Sequence, residues 1–305
     1  MNDQASTLRK MVQKQNGCKD SNKKEQANKG KERAKAAKTR IITVASGKGG
    51  VGKTNVAVNL GVALQLTGED VLLLDADLGM ANIDILLGLT STFTLKHVMK
   101  GNCSINDALL QGPGEIDILP GVSGGDELID MSREEVKRLL QISSHLEDNY
   151  DIIIIDIGAG AHRGGLNFTL SADEALIVLT PEPTSIMDAY SLIKILSTHD
   201  FNGDLGLIVN QVSSQNEGNE VADRMSRVIK EYLSMEVKMT GFIPYDKKVI
   251  RSVKKQRSIL DLYPDSKAGA AFRDTADILL DREQEVASTG MNSFFSKIIG
   301  MFRSD

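Results

Sequence analysis

Short apolar runs alternate with longer amphipathic segments between about residue 40 and residue 285 of the chain. The runs predicted as strands are residues 40–46, 70–77, 116–121, 150–158, 174–181, 205–212 and 238–244. The segments predicted as helices are residues 54–67, 132–147, 184–199, 217–234 and 268–281. Strands that are apolar at nearly every position are typical of a parallel sheet covered on both faces. The pattern predicts one α/β domain over residues 40–285, with a doubly wound, mostly parallel sheet, helices on both faces and ligands at the carboxyl ends of its strands.

A glycine-rich stretch, SGKGGVGKT at residues 46–54, lies between the first predicted strand and the first predicted helix. It fits the P-loop pattern G-x-x-x-x-G-K-[ST]. In such a loop, backbone N–H groups and the positive end of the helix dipole bind phosphate oxygens. We expect Lys53 to contact the β- and γ-phosphates as a catalytic residue, and the Thr54 hydroxyl to ligate Mg²⁺. The residues expected to bind the nucleotide here are Gly49, Gly50, Val51, Gly52, Lys53, Thr54 and Asn55.

Carboxylates end two of the predicted strands, Asp75 and Asp77 on one and Asp156 on the other. The carboxyl ends of parallel strands meet at one edge of the sheet, so these side chains are expected beside the P-loop. Asp156 suits the role of holding Mg²⁺ directly or through a water, and the predicted metal ligands are Thr54, Asp75 and Asp156. Asp77 lies just past its strand and is predicted to orient the attacking water, as a catalytic residue.

The end of the predicted strand at 205–212 indicates which base the bound nucleotide carries. Guanine-specific P-loop proteins usually carry [NT]-K-x-D after a late strand, but here the run ends in VNQV with no Lys or Asp following. The side chain of Asn210 can exchange hydrogen bonds with an adenine edge, and the backbone around Pro244 is placed to flank the ring. The expected cofactors are therefore ATP or ADP and Mg²⁺.

Composition limits the setting of the protein. The chain has 305 residues, and its two cysteines, Cys18 and Cys103, lack the paired spacing of a disulfide framework, a zinc site or an iron–sulfur cluster. No stretch resembles a secretory signal or the roughly 18–20 apolar residues of a membrane span. A cytoplasmic protein, associated at most peripherally with the inner face of the cell membrane, is expected.

The N-terminal segment, residues 1–39, is predicted to be a flexible basic arm. Residues 1–40 hold twelve Lys or Arg and four acidic residues, whereas the rest of the chain holds 24 basic and 37 acidic residues. A segment so poor in apolar residues cannot form its own core. Two interpretations stay open: a solubilising tail, or a docking arm for an acidic partner, nucleic acid or a lipid surface.

Four stretches together resemble the deviant Walker-A ATPases of the MinD/ParA family. They are KGGVGKT (48–54), DADLGMANID (75–84), IIIIDIGAG (152–160) and GFIPYD (241–246). The resemblance implies an Mg²⁺-dependent ATPase that forms an ATP-dependent homodimer. It also implies that Lys48, a further catalytic residue, reaches the phosphates bound by the other subunit, as an arginine finger does. Gly158 stands where the family has proline, which predicts a more mobile switch loop.

The C-terminal segment, residues 286–305, is predicted to be a linker and an amphipathic helix. One apolar face of this helix would carry Phe294, Phe295, Ile298, Ile299 and Phe302. A terminal helix docked on its own core is one interpretation. The other is an anchor on an anionic membrane surface, which the aromatic residues and the flanking Lys297 and Arg303 favour. A dimer would present two such helices and gain avidity.

The first residues, NDQASTLR at 2–9, resemble the D-Q-A-x-x-L-R motif of the FlhG (YlxH) group of flagellar-number regulators within the MinD/ParA family. The resemblance implies that the chain regulates flagellum number and placement, and that its N-terminus activates the flagellar signal-recognition-type GTPase FlhF. Flagellar switch (C-ring) proteins are further possible partners. The residues expected to contact the GTPase are Asp3, Gln4, Ala5, Leu8 and Arg9.

Other members of the family remain alternatives. A MinD-type division-site regulator would begin almost at the first strand and would not need residues 1–38. A ParA-type DNA-partitioning ATPase would bind DNA through basic residues on its folded core, and the basic arm keeps this alternative open although DNA is not an expected partner. An iron–sulfur carrier needs paired cysteines, and a bacterial tyrosine kinase needs a terminal tyrosine cluster, whereas no tyrosine follows Tyr263.

Overall fold

An eight-stranded sheet forms the centre of the protein in a computed structural model that describes residues 38–77, 83–121, 132–160, 162–281 and 288–303. The strands are β1 Arg40–Ala45, β2 Val71–Ala76, β3 Leu110–Gln111, β4 Asp117–Leu119, β5 Ile152–Ile157, β6 Glu174–Leu179, β7 Asp204–Val212 and β8 Lys238–Pro244. Their order across the sheet is β3-β4-β2-β5-β1-β6-β7-β8, and every neighbouring pair is parallel except β3 with β4. The predicted α/β fold with a mostly parallel sheet is confirmed.

Helices cover both faces of this sheet. In chain order they are α1 Lys53–Leu66, α2 Ile83–Leu87, α3 Leu95–Met99, α4 Ile105–Ala108, α5 Arg133–Asn149, α6 Arg163–Ser171, α7 Pro183–Thr198, α8 Gln215–Leu233, α9 Lys247–Lys254, α10 Ile259–Leu262, α11 Lys267–Asp281 and α12 Gly290–Arg303. The apolar core on one face includes residues of α5, α6, α7, α8 and α12. The core on the other face includes residues of α1, α2, α10 and α11. None of the described helices is long and apolar enough to cross a membrane.

Strand β5 shows why its sequence is apolar at consecutive positions. Ile153 and Ile155 belong to the core on one face, and Ile152 and Ile154 belong to the core on the other. Successive side chains of a strand point to opposite faces, so a central strand with helices on both sides must be apolar on both. The polar exception, Asp156, comes at the carboxyl end of the strand, where the ligand site of such sheets lies.

The last helix, α12, packs against α5, α6 and β1. The helix itself was predicted, but the face predicted to contact a membrane is buried in this structure. Phe294 and Ile298 are 0% exposed, Phe295 is 1% exposed, and Ile299 is partly buried. These side chains fill the core beneath α12, so the structure shows the docked arrangement, one of the two interpretations that the sequence left open, and membrane contact stays a prediction. The side chain of Phe302 lies outside the part of the chain that the structure describes.

Polar contacts fix the start of α12 as well. The Asn292 backbone N–H donates to Glu147 Oε1 at 2.9 Å, and its Nδ2 donates to Glu147 Oε2 at 3.0 Å. The Thr289 N–H and hydroxyl both donate to Asp173 Oδ1, at 2.9 and 2.8 Å. The boundary predicted after residue 285 therefore does not separate the last helix from the packed core. The predicted N-terminal arm, with Asp3, Gln4, Ala5, Leu8 and Arg9, lies outside the described residues.

Candidate nucleotide-binding site

The loop between β1 and α1 forms a concave turn with little side-chain bulk. Gly50 and Gly52 adopt positive φ angles of 82° and 87°, which favour glycine. A Cβ atom at Gly49 would meet nothing within 4 Å, whereas one at Gly52 would lie 2.5 Å from Asn210 Nδ2. Helix α1 begins at Lys53, so its unpaired N–H groups and positive dipole end point towards this loop. The loop therefore has the form that binds phosphate.

A cavity of about 600 Å³ opens beside the loop. The predicted site residues that line it are Lys48, Gly49, Gly50, Gly52, Lys53, Thr54, Asn55, Asp77, Asn210 and Pro244. Asp75 and Asp156 lie opposite each other in the β2–β5 register, where the strands end. Val51 is buried. The structure thus brings residues from five separate predicted motifs to one end of the sheet.

Lys53 and Asp156 form a buried ion pair at the floor of this site. Lys53 Nζ lies 2.5 Å from Asp156 Oδ1, and both side chains are almost completely shielded from solvent. Burial raises the pKa of the Asp156 carboxyl, and the Lys53 ammonium opposes this rise. The second carboxylate oxygen, Oδ2, is buried and has no hydrogen-bond partner among the residues that the structure describes. A buried carboxylate oxygen in this state is available to a cation or to a water that a cation holds.

Asp75 has a structural role in addition to the predicted one. Its Oδ1 accepts the backbone N–H of Asp77 at 3.1 Å, and its Oδ2 accepts the backbone N–H of Ile83, the first residue of α2, at 3.2 Å. Each oxygen accepts one backbone N–H, and a carboxylate oxygen has two lone pairs, so ligation of Mg²⁺ by Asp75 stays a prediction. Asp75 also positions Asp77 and the start of α2.

The residues present nevertheless fit Mg²⁺. Among the described residues, no group of three or more His, Cys, Asp or Glu side chains is placed to hold a metal ion. Mg²⁺ is usually bound by one or two protein oxygens together with waters and substrate phosphates, so it does not require such a group. Thr54 and Asp156 would supply the protein oxygens, with phosphate oxygens from the bound nucleotide.

Asp77 borders both the cavity and the loop after β5. A Cβ at Gly158 would lie 3.1 Å from Asp77 Oδ1, so glycine leaves room for the carboxylate that a larger residue would crowd. The same loop is tied to the P-loop, because the Gly160 N–H donates to the Ser46 carbonyl at 2.9 Å. The structure therefore gives a steric reason for glycine at position 158, in addition to the loop mobility that the sequence predicts.

Asn210 lies at the carboxyl end of β7, beneath the P-loop. Its Nδ2 donates to the Val51 carbonyl at 2.8 Å, and its Oδ1 accepts the Gln211 N–H at 3.0 Å. Gln211 adopts a positive φ of 62°, at a bulge in the β7–β8 register. Asn210 lines the cavity as predicted, but its first role is to hold the P-loop. One amide N–H and one oxygen lone pair remain for a base.

The far wall of the cavity is apolar, and the sequence-based prediction missed most of it. Besides Pro244, it consists of Leu86, Ile243, Tyr245, Val249, Ile250 and Val253. Three of these lie on α9, an eight-residue helix that was not predicted. Its sequence KKVIRSVK does carry a signal, because Val249, Ile250 and Val253 follow helical spacing. An apolar wall facing a phosphate-binding loop suits a nucleoside base.

Lys48 lines the cavity on its exposed side. Its Nζ lies 3.2 Å from Glu182 Oε2 and donates to the Thr184 hydroxyl at 3.0 Å, next to the start of α7. Both charged side chains are largely solvated, and exposed ion pairs of this kind contribute only about 0–1 kcal/mol. The contact of Lys48 with Glu182 is therefore weak, and Lys48 can exchange it for a stronger anion.

The fold, the glycine-rich loop and the buried Lys53–Asp156 pair define a P-loop nucleotide-binding protein. Residues 42–259 match the model of the CobQ/CobB/MinD/ParA nucleotide binding domain. The chain belongs to this MinD/ParA-type family, so the resemblance drawn from the sequence motifs is confirmed.

Three relatives place the chain within the family. It is 42% identical to the antiactivator FleN of Pseudomonas aeruginosa, over 77% of this chain and 84% of FleN. It is 30% identical to the flagellum site-determining protein YlxH of Helicobacter pylori, over 86% of this chain and 90% of YlxH. The structure of the septum site-determining protein MinD of Pyrococcus horikoshii, complexed with Mg-ADP, matches with a TM-score of 0.62 and 30% identity, covering 79% of this chain and 96% of that one.

Proposed function

We propose that this chain is an ATPase that dimerises when it binds ATP, associates with the inner face of the cell membrane and regulates the number and placement of flagella. The similarity to FleN carries the flagellar part of this proposal. Lys48 lines the nucleotide cavity but contacts the exposed Glu182 and not the buried Asp156 that Lys53 contacts, which supports a separate role in the dimer. The structure of MinD with Mg-ADP supports Mg²⁺ and an adenine nucleotide as ligands.

Hydrolysis in this proposal uses residues that converge on the P-loop. Lys53 exchanges Asp156 for phosphate oxygens when nucleotide binds, which leaves Asp156 and Thr54 for the metal side of the site. Mg²⁺, when bound, neutralises negative charge on the phosphates. Asp77 faces the cavity beside Gly158 and orients the attacking water.

We expect Asp77→Ala to retain ATP affinity and lose at least about 100-fold in turnover, the range typical of a lost acid–base or water-orienting side chain. The protein would then persist as the ATP-bound dimer in gel filtration. Asp84→Ala, at an acidic residue on nearby α2 that does not line the cavity, is the matched control and should hydrolyse ATP normally. An Asp77→Ala protein with wild-type turnover would exclude the proposed role.

Lys48 is proposed to complete the nucleotide site of the other subunit. Its partners in this structure, Glu182 and Thr184, are exposed side chains, so the exchange for a triphosphate costs little. We expect Lys48→Ala to bind ATP within about threefold of wild type, since it loses only an exposed pair, but to lose hydrolysis. Glu182→Gln, which frees Lys48 without removing it, is the matched control and should hydrolyse ATP at least as fast as wild type. Normal turnover in Lys48→Ala would contradict the proposed role of this lysine.

Membrane association through α12 requires the helix to leave the core. The side chains that would enter lipid, Phe294, Phe295 and Ile298, are the ones now buried against α5 and α6. Transfer of these side chains from the core to lipid costs little in hydrophobic free energy. Release of the helix, however, exposes the core beneath α12 to water and breaks the contacts of Asn292 and Thr289. We therefore place membrane binding in a state in which α12 is released.

The partner in this proposal is the flagellar signal-recognition-type GTPase FlhF, activated by residues 2–9. A synthetic peptide of residues 2–16 should stimulate single-turnover GTP hydrolysis by that enzyme. The matched control is the same peptide with Gln4 and Arg9 replaced by alanine, which should have no effect. Absence of stimulation by the native peptide would contradict the partnership.

A deletion strain tests the cellular function and separates it from division-site regulation, which the MinD similarity favours as a second candidate. Loss of the gene should change the number or position of flagella counted by electron microscopy, and leave septa at midcell. Minicells with a normal flagellar pattern would favour the MinD-type function instead. The Lys53→Ala variant should fail to restore the wild-type pattern.

A further inference from the structure

A concentrated positive charge surrounds the end of α9. The residues that carry it, here called the basic rim, are Lys247, Lys248, Arg251, Lys254, Lys255 and Arg257. All six side chains are exposed, and no acidic residue lies between positions 247 and 257. Only Arg257 forms an ion pair with a described residue, Asp261 at 3.7 Å. The basic rim is positively charged although the whole chain has a net charge of −5. The positive charge is therefore a local feature and not a consequence of overall composition.

Apolar side chains lie exposed within the basic rim. Ile250 is 45% exposed and Tyr245 is 55% exposed, and Ile85, on α2, is 65% exposed. Ile85 is held next to the rim, because Gln256 Nε2 donates to its carbonyl at 3.0 Å. Large apolar residues this exposed usually mark a contact surface when they cluster.

The two sets of residues share one concave border. Leu86, Tyr245, Ile250, Val253 and Lys254 all line the nucleotide cavity, and Tyr245 and Ile250 are also exposed at its border. An apolar strip, formed by Tyr245, Ile250, Val253, Leu86 and Ile85, therefore extends from the apolar lining of the cavity to the exposed Ile85, next to the cations of the basic rim. We call the strip and the basic rim together the α9 surface.

We propose that the α9 surface binds an acidic, amphipathic segment of a partner protein, with its carboxylates on the basic rim and its apolar side chains on the strip. Helices that carry apolar anchors at i, i+3, i+4 and i+7 bind apolar grooves in this way. Complementary charges along the groove set the orientation and speed the encounter. The side chains of the strip give the segment an apolar contact that charge alone would not supply.

Two other anionic partners fit the surface less well. A nucleic-acid backbone would pair with the basic rim but would leave Ile250, Tyr245 and Ile85 facing phosphates and sugars. A lipid bilayer is flat on this scale and cannot follow the strip into the concave border formed by Leu86 and Val253. A side chain from a peptide helix can reach both.

The test uses the full chain and a fluorescein-labelled synthetic peptide helix, with Glu on one face and Leu at i, i+3, i+4 and i+7. Binding is measured by fluorescence anisotropy. Arg251→Glu/Lys255→Glu should weaken binding at least about tenfold, since it replaces two attractions by two repulsions. The matched control, Lys137→Glu/Lys194→Glu, makes the same charge change at exposed lysines on α5 and α7 and should bind within about twofold of wild type. Ile250→Ser should weaken binding by about fivefold or more through lost apolar contact.

Neither Arg251 nor Lys255 lines the nucleotide cavity, so ADP affinity reports whether the charge-reversed protein is folded. If the charge-reversed protein is not folded, two other measurements test the proposal. The Ile250→Ser protein should bind the amphipathic peptide more weakly than wild type does, and the wild-type protein should bind a scrambled peptide of the same composition more weakly than the amphipathic one. The proposal is overturned if the scrambled peptide binds as well as the amphipathic one, since that leaves charge alone. It is also overturned if the peptide does not bind, but phosphatidylglycerol vesicles or duplex DNA do and their binding depends on Arg251 and Lys255. A third contradicting result would be that a second copy of the chain covers the surface and excludes the peptide.

Discussion

Lys53→Ala is expected to weaken ATP binding by at least about 30-fold, because truncating one member of a buried, hydrogen-bonded charge pair costs about 2–5 kcal/mol. In this structure Lys53 is the cation buried at the floor of the P-loop, and Asp156 is its partner. The variant removes the cation that the phosphates would otherwise meet. Isothermal titration with ATP and Mg²⁺ measures the loss.

Lys53→Ala also leaves Asp156 buried beside no cation. Burial already raises the pKa of Asp156, and Lys53 is what opposes the rise, so in the variant the carboxyl takes up a proton more readily. A thermal unfolding curve shows whether the fold survives this change. Lys48→Ala is the matched control, because it removes the other lysine of the same loop but leaves the Lys53–Asp156 pair intact. Micromolar ATP affinity in folded Lys53→Ala would exclude the P-loop role.

Phe294→Ala and Phe295→Ala are each expected to lower the free energy of unfolding by about 3–5 kcal/mol, the usual cost of truncating a buried phenylalanine. Both rings are almost fully buried, and they contact each other edge to face with centroids 5.3 Å apart. A loss of this size is a large share of the roughly 5–15 kcal/mol that stabilises a typical domain. Urea unfolding of each variant measures it.

The matched control for these variants is Lys297→Ala, at an exposed position of the same helix. It should change the free energy of unfolding by less than about 0.5 kcal/mol, as surface substitutions usually do. If the phenylalanine variants were equally neutral, α12 would be free of the core. Deleting residues 290–305 is expected to expose the core beneath α12, so point variants separate docking from membrane binding better than the deletion does.

The sequence predicted the sheet well because central parallel strands leave a strong pattern. Each of the seven predicted strands is present, and the run of isoleucines in β5 marks the middle of the sheet. The eighth strand, β3, has two residues and pairs antiparallel at the edge, so it left no detectable period. Short helices such as α2 and α10 were not predicted for the same reason, because four or five residues do not establish a helical repeat.

The phosphate side of the site was also predictable, because glycines, a lysine and strand-end aspartates are specific in spacing and type. The exact partners of each carboxylate were not. Asp75 and Asp156 are similar in sequence, yet Asp75 accepts two backbone N–H groups and Asp156 pairs with Lys53. Such a difference depends on how the chain returns after the strand, which local sequence does not encode.

The placement of α12 shows a further limit. An amphipathic pattern indicates that one face of a helix is apolar, but it does not indicate whether protein or lipid covers that face. The decision rests on distant residues, such as Glu147 and Asp173, which receive hydrogen bonds from the start of α12. These partners precede the helix by more than one hundred residues in the sequence, so only the fold reveals them.

The most direct test of the proposal that Lys53 serves its own subunit and Lys48 the other is the mass of the ATP-bound protein, measured by sedimentation equilibrium in the Asp77→Ala background with Mg²⁺. We expect the Asp77→Ala protein to have a mass near twice that of the 33.1 kDa chain. Adding Lys48→Ala should return the mass to that of one chain. A double variant that remains dimeric and binds ATP normally would contradict the claim that Lys48 completes the site of the other subunit.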